Sequence, residues 1–292
     1  MEPKQVSHRL AIIGAGVMGT GIATLALGCG IQVVLVDTDP DKAENAPSAI
    51  NRQLRHARLL KAFSDGQSLG KLTVTTSIGE ATDVTTVIEA VTEDPGIKAK
   101  VLAQVSETVA PDTLLISNTS GIPIDEMAAH VVRPDMLIGI HFMNPSYLIK
   151  TVEVIRGYRV GDVAMEKVSS LLAALDRKAI VVKDAPGFVT SRLLHPMIND
   201  AARIVSEGTA SVEAVDALMQ GCLGHPTGPL RTGDLIGLDN LADSLNVLLE
   251  RTGDERYRPC ELLLEKVRAG DFGQKTGHGF YDYGRDSDDD RG

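Results

Sequence analysis

The chain has 292 residues, 43% of them hydrophobic and 23% charged, with 3% aromatics and no Trp. That length suits two domains of about 100 to 200 residues each, and the composition excludes a disordered or fibrous chain. Its 29 basic and 39 acidic residues leave a formal net charge of −10, which works against general binding to nucleic acid or an anionic membrane. The N-terminal MEPKQVSHR lacks the apolar run of a signal peptide, and the apolar stretches are too short or too polar to span a bilayer. Three widely spaced cysteines, Cys29, Cys222 and Cys260, show neither metal-ligand nor redox spacing. A cytoplasmic protein with no metal site is expected.

Residues 9–13 (RLAII) read as a buried strand closed by glycines, 18–27 as a helix, and 31–36 (IQVVLV) as a second strand. Helical patterns follow at 41–63, 97–109, 123–131 and 163–175, interleaved with strand-like runs at 85–91, 113–117, 136–141, 151–155 and 179–182. That alternation predicts an α/β domain, a parallel sheet with helices on both faces. From Phe188 onward strands are hard to find, and helices are predicted at 188–206, 211–220, 238–251 and 259–268, broken by the Gly/Pro-rich GCLGHPTGPL. The boundary falls near Asp184–Gly187, giving domains over 1–185 and 186–292. The terminal RDSDDDRG reads as a polar acidic tail.

Gly14-Ala15-Gly16-Val17-Met18-Gly19 follows the first strand and opens the first helix. Glycines there permit a tight turn and close approach of a pyrophosphate, and the helix N-terminus offers free N–H groups to it. Asp37, 18 residues after Gly19, ends the second strand. A carboxylate there accepts hydrogen bonds from the adenosine ribose and repels a 2′-phosphate, which favours NAD over NADP. Thr38-Asp39-Pro40-Asp41 also looks like a helix start, so a turn role for Asp37 stays open.

His141 closes the run MLIGIH, and the carboxyl ends of parallel strands face the ligand crevice. Oxidising an alcohol needs a base for the hydroxyl proton, and imidazole titrates near neutral pH. A lone strand-end histidine is nonetheless more often structural. Glu153, 12 residues further on in TVEVI, holds the imidazole Nδ1–H if its segment runs beside the first; otherwise it faces solvent. Ser117-Asn118-Thr119-Ser120 ends another strand, where small hydroxyl and amide groups either contact a substrate oxygen and the nicotinamide or cap a helix.

The ordered stretches GAGVMG, VLVDTDP, EAVTED with Lys98, SNTS, HFMNP, VEVI, DAPGFV, PTGPL with DLIGLD, and KTGHGFYDY resemble the L-3-hydroxyacyl-CoA dehydrogenase family almost end to end. The resemblance implies a Rossmann domain followed by an all-helical domain that forms a homodimer interface. It implies reversible hydride transfer between NAD and C3 of a 3-hydroxyacyl thioester. Carried over by position, the catalytic pair falls on His141 and Glu153, and the substrate contacts fall on Ser117 and Asn144. The cofactor contacts fall on Gly14, Gly16, Val17, Met18, Gly19, Asp37, Glu93 and Lys98, with the Asn118 amide beside them.

Three departures bear on the substrate. Ser191 stands where the family commonly carries Asn, Ser146-Tyr147 follow HFMNP in place of a Pro-rich continuation with Gly121 for a common Ser, and the segment from Leu60 to Thr76 is short for the family's CoA clamp. Arg52, Arg55, Arg58 and Lys61 form a basic stripe on the preceding helix. It meets the phosphates of CoA, docks an acidic acyl carrier protein bearing the substrate, or is merely solvated. The open alternatives are therefore a short polar 3-hydroxyacyl group, such as a glyceryl thioester, on a carrier protein in secondary metabolism, and a non-catalytic NAD-binding protein on the same fold.

Overall fold

Apolar runs bounded by glycine, proline and acidic residues set the architecture of the computed structural model, which describes residues 8–64 and 66–284. The tail RDSDDDRG lies outside them. The chain divides into two units, Met1–Ala185 and Pro186–Gly292.

In chain order the first unit runs β1 (Arg9–Ile13), α1 (Val17–Gly28), β2 (Gln32–Val36), α2 (Pro40–Leu59), β3 (Leu72–Thr75), β4 (Thr86–Glu89), α3 (Pro95–Thr108), β5 (Leu114–Ser117), α4 (Ile124–Ala128), β6 (Leu137–His141), β7 (Thr151–Arg156), α5 (Asp162–Ala174) and β8 (Lys178–Lys183). The eight strands form one sheet in the order β3-β2-β1-β4-β5-β6-β7-β8. Chain direction through the sheet reverses between β1 and β4, the place where an open α/β sheet forms its ligand crevice. Leu10, Ile12, Leu35, Ile88, Ile116, Ile138 and Val154 line the buried core. Their removal from water, worth about 1.5 to 3 kcal/mol for each large aliphatic side chain, drives the layers together.

The sheet is mostly parallel, as the sequence reading has it, with one pairing that departs. β7 pairs antiparallel with β6, and β8 then runs parallel to β7. A parallel return needs a crossover of about a dozen residues or more, usually a helix. The link from His141 to Thr151 is shorter and carries no helix, so the chain turns back directly.

Two elements escape the pattern-based reading. β3 is a four-residue strand with no fully buried side chain, LTVT, so it carries no apolar run to announce it. The helix at Pro229–Ile236 begins inside the supposed breaker GCLGHPTGPL. There Pro229 occupies the first turn, where its missing N–H costs nothing.

The second unit contains α6 (Thr190–Ser206), α7 (Val212–Leu223), α8 (Pro229–Ile236), α9 (Leu238–Thr252) and α10 (Glu261–Ala269) around Ile198, Leu230, Leu241, Leu245, Leu248, Tyr257 and Leu263. Two buried carboxylates organise it. Asp216 accepts from the N–H groups of Leu230 and Arg231 at the start of α8 and from the Tyr281 hydroxyl, all at 2.9 Å. Asp234 accepts from the N–H groups of Phe280 (2.8 Å) and Tyr281 (2.9 Å) and from the Tyr283 hydroxyl (3.0 Å). Burial and then the Asp234 charge push the Tyr283 phenol up to about 12. The motifs PTGPL, DLIGLD and KTGHGFYDY thus hold residues 280–283 onto this unit. Among the described residues no helix is long and apolar enough to cross a membrane.

Candidate active site

The carboxyl ends of β1, β2, β4, β5 and β6 bring most of the expected site residues into the first unit's crevice. At the glycine turn, Gly14 has φ +108°, and a Cβ there would lie 2.6 Å from the Ala90 carbonyl oxygen. A Cβ on Gly19 would lie 1.7 Å from the Gly14 carbonyl oxygen, so only glycine lets α1 start this close to the turn. Gly16, by contrast, has nothing within 4 Å of such a Cβ. It caps α1 without a side-chain hydrogen bond, ahead of Val17 and Met18 in the first turn. Open space beside unsatisfied helix N–H groups fits a dinucleotide pyrophosphate.

Asp37 sits beside this turn, half-buried. Its Oδ2 accepts from the Ala15 N–H at 2.7 Å, and its Oδ1 accepts from the Asp39 N–H at 3.0 Å. Asp39 itself caps α2, so the helix-start signal and the Asp37 carboxylate belong to neighbouring residues with separate tasks.

His141 and Glu153 stand directly opposite each other in the β6–β7 register. His141 Nδ1 lies 3.4 Å from Glu153 Oε2, and both side chains are buried. That separation is long for a hydrogen bond, as catalytic contacts commonly are before substrate binds. Antiparallel pairing makes the contact: residues opposite each other project from the same face of the sheet, their Cβ atoms about 5 Å apart.

Next to them lies a buried polar cluster built on Glu89, at the end of β4. Its carboxylate accepts from Lys98 Nζ (2.7 Å), Ser117 Oγ (2.6 Å) and the Val91 N–H (2.8 Å). Glu93 accepts from Thr119 Oγ1 (2.6 Å) and from the N–H groups of Ser120 (2.7 Å) and Gly121 (3.2 Å), while Lys98 Nζ reaches its other oxygen at 3.3 Å. Burial alone would lower the Lys98 pKa, but the two carboxylates outweigh it and hold the ammonium above its ordinary value. Asn118 Oδ1 accepts from the Phe142 N–H at 2.9 Å, tying the end of β5 to the residue after His141.

Two expected contact residues are occupied within this cluster. Ser117 is completely buried and donates to Glu89, bracing the crevice floor. Ser120, three residues on, is half-buried, and its hydroxyl has no partner among the described residues. Lys98 is likewise fully buried, and its ammonium joins Glu89 to Glu93 where a cofactor contact was expected. Glu89 itself was missed, although a carboxylate ending the apolar run TVIE, with a lysine nine residues later, was a readable sign of a buried ion pair.

The remaining expected residues are more dispersed. Asn144 is exposed in the loop after β6. Arg55 and Arg58 are exposed on α2, without an ion pair among the described residues. Ser191 lies in the first turn of α6 in the second unit, with its hydroxyl buried and unpartnered among the described residues. No three His, Cys, Asp or Glu side chains among the described residues are placed to hold a metal ion.

Residues 9–185 match the model for the 3-hydroxyacyl-CoA dehydrogenase NAD binding domain, and residues 187–283 match the model for the C-terminal domain of the same enzymes. The chain belongs to the 3-hydroxyacyl-CoA dehydrogenase family. A probable 3-hydroxybutyryl-CoA dehydrogenase from Bacillus subtilis is 40% identical over 97% of this chain and 98% of its own length. A 3-hydroxybutyryl-CoA dehydrogenase from Bradyrhizobium diazoefficiens is 38% identical over 95% of this chain and 96% of its own. The crystal structure of (S)-3-hydroxybutyryl-CoA dehydrogenase from Ralstonia eutropha, 36% identical, superposes with a TM-score of 0.82 over 94% of this chain and 99% of that one. As a member of this family the protein is an NAD-dependent oxidoreductase, and the glycine turn and Asp37 lie within its NAD-binding domain.

Proposed function

We propose that this protein oxidises the C3 hydroxyl of a short 3-hydroxyacyl-CoA, reversibly, with His141 as the base. The single observation that carries this reading is the His141–Glu153 pair, which stands in register at the crevice end of β6 in an NAD-binding domain. When bound, NAD supplies the acceptor for the C3 hydride. Glu153 fixes the imidazole through Nδ1, which makes Nε2 the atom that receives the hydroxyl proton, and the carboxylate stabilises the imidazolium formed. Ser120 and Asn144 orient the substrate oxygen from the loops that follow β5 and β6. Asn118 holds the backbone next to His141, and Glu93 holds the Ser120 loop in shape.

The first unit carries the cofactor, and the second carries a homodimer surface. Exposed Leu193, Leu218 and Leu223 on the second unit support that last assignment. All three cysteines are free, as in the reducing cytoplasm in which we place the protein. CoA is the preferred carrier because the compared relatives bear it in their names. The exposed side chains of Arg55 and Arg58 are all that favours an acyl carrier protein.

Purified protein given acetoacetyl-CoA, or the same acyl group on a carrier protein, is the direct test. NADH consumption with the CoA thioester, faster than with the carrier form, is the expected result. NADH binding without oxidation or reduction of either thioester would leave only a cofactor-binding protein.

A further inference from the structure

A second polar cavity, of about 370 Å³, lies in the first unit among Cys29, Lys61, Phe63, Ser64, Lys150 and Arg177. Cys29 follows the C-terminal end of α1, whose 12 residues set it about 18 Å along the helix axis from the glycine turn. The cavity is therefore not the pyrophosphate site.

Its charge is unusual for this chain. Among the described lining residues three cations, Lys61, Lys150 and Arg177, meet one carboxylate, Asp176, on a protein whose formal net charge is −10. Asp176 is already paired with Lys150 and points largely to solvent. Arg177 is only 7% exposed, and its guanidinium donates solely to neutral carbonyl oxygens: Nη1 to Leu175 (3.1 Å) and Asp176 (2.9 Å), Nη2 to Ser146 (3.0 Å). Its Nε is buried with no partner among the described residues.

A buried cation whose hydrogen bonds all go to neutral carbonyl oxygens, with only the exposed, Lys150-paired Asp176 carboxylate acting on it through space, is poorly compensated, and an orphaned donor adds a desolvation cost. Burial accordingly lowers the Arg177 pKa. A bound anion relieves both deficits, and a guanidinium flanked by ammonium groups matches a phosphate's geometry and charge. Ser64 and Gln67 add neutral donors at the wall. The volume exceeds that of a bare phosphate, leaving room for the group it esterifies.

We propose that this cavity binds a phosphomonoester-class dianion, held by Arg177 together with Lys61 and Lys150. The Cys29 thiol lines the same cavity and reports its occupancy.

The test uses the full chain carrying Cys222→Ser, since Cys222 is exposed while Cys260 is buried in the other unit. Alkylation of Cys29 by neutral iodoacetamide is followed by mass spectrometry at constant ionic strength. Inorganic phosphate, CoA and dephospho-CoA are titrated in separate arms. Phosphate is expected to slow alkylation severalfold and saturably. The surface double variant Lys61→Gln/Lys150→Gln, checked for unchanged thermal unfolding, is expected to raise the half-protecting concentration about tenfold.

Protection by CoA at much lower concentration than by phosphate or dephospho-CoA identifies the source as the 3′-phosphate of CoA. Equal protection by phosphate and CoA identifies a free phosphate, and either result supports the site. An alkylation rate indifferent to phosphate and CoA overturns it. So does protection by dephospho-CoA equal to that by CoA with phosphate inert.

Discussion

Ser117 donates its hydroxyl hydrogen to Glu89 Oε2 at 2.6 Å, and the two residues face each other in register at the crevice ends of β5 and β4. This bond separates two serines that lie three positions apart. Ser117→Ala leaves a buried carboxylate short of a donor, and a loss of about 1 to 3 kcal/mol in denaturant unfolding is expected, with KM for the acyl-CoA nearly unchanged. Ser120→Ala should do the reverse, raising KM severalfold at unchanged stability. Steady-state kinetics beside urea unfolding of both variants decides the assignment, and a KM effect confined to Ser117→Ala returns the substrate contact to that residue.

Lys98 supplies the cation that faces both Glu89 and Glu93. Lys98→Met strands a buried carboxylate, and a loss of about 3 to 5 kcal/mol is expected. The pH dependence has a defined sign. Lys98 is held above its ordinary value, so the folded state binds its proton more tightly than the unfolded state does. The stability it confers is fully present below the ordinary lysine value of about 10.4 and is lost as pH rises through the folded-state value. The margin of wild type over Lys98→Met, measured by denaturant unfolding, should be flat near neutrality and shrink in that alkaline window, and it should shrink again in acid where the stranded carboxylate takes up a proton. A margin that grows through the alkaline window would contradict the sign.

Asp37 touches the glycine turn through the Ala15 N–H, so its loss acts on ribose recognition and on the shape of the turn together. Asp37→Ala is expected to raise KM for NAD about tenfold or more, roughly the loss of a charged hydrogen bond, and to narrow the gap between NAD and NADP. Coenzyme kinetics at fixed substrate measure both. An unchanged coenzyme preference would reduce Asp37 to the turn residue that the Asp39–Pro40 signal also allowed.

Glu153→Gln preserves shape while removing the charge that steadies the imidazole. A fall in kcat of about two powers of ten or more is expected, with KM for NAD unchanged. Rapid-mixing kinetics on the folded variant check it, and an unaltered kcat would make Glu153 a mere packing neighbour.

Much of this architecture was legible because buried parallel strands must be apolar on both faces, and β1, β2, β4, β5 and β6 carry such runs. The antiparallel turn into β7 was not, since it depends on the lack of a helix between residues 142 and 150 and no residue pattern marks strand direction. That turn is nonetheless what sets His141 opposite Glu153. Motif matching located the pair but could not supply the register. Nor could it show the contacts of Ser117 and Lys98 to Glu89, because a polar residue reads the same in sequence whether its partner is a ligand or a buried carboxylate. The short strand β3 and the helix α8 were hidden by the lack of an apolar run and by a proline-glycine stretch that doubles as a helix start.

The most direct measurement is single-turnover NADH formation from a 3-hydroxyacyl-CoA by His141→Ala, with NADH binding followed by fluorescence on the same sample. Turnover reduced by about two to four powers of ten, the scale of a missing general base, with NADH affinity intact, is the result expected. Turnover equal to that of the parent protein would contradict His141 as the proton acceptor, whatever the distance to Glu153.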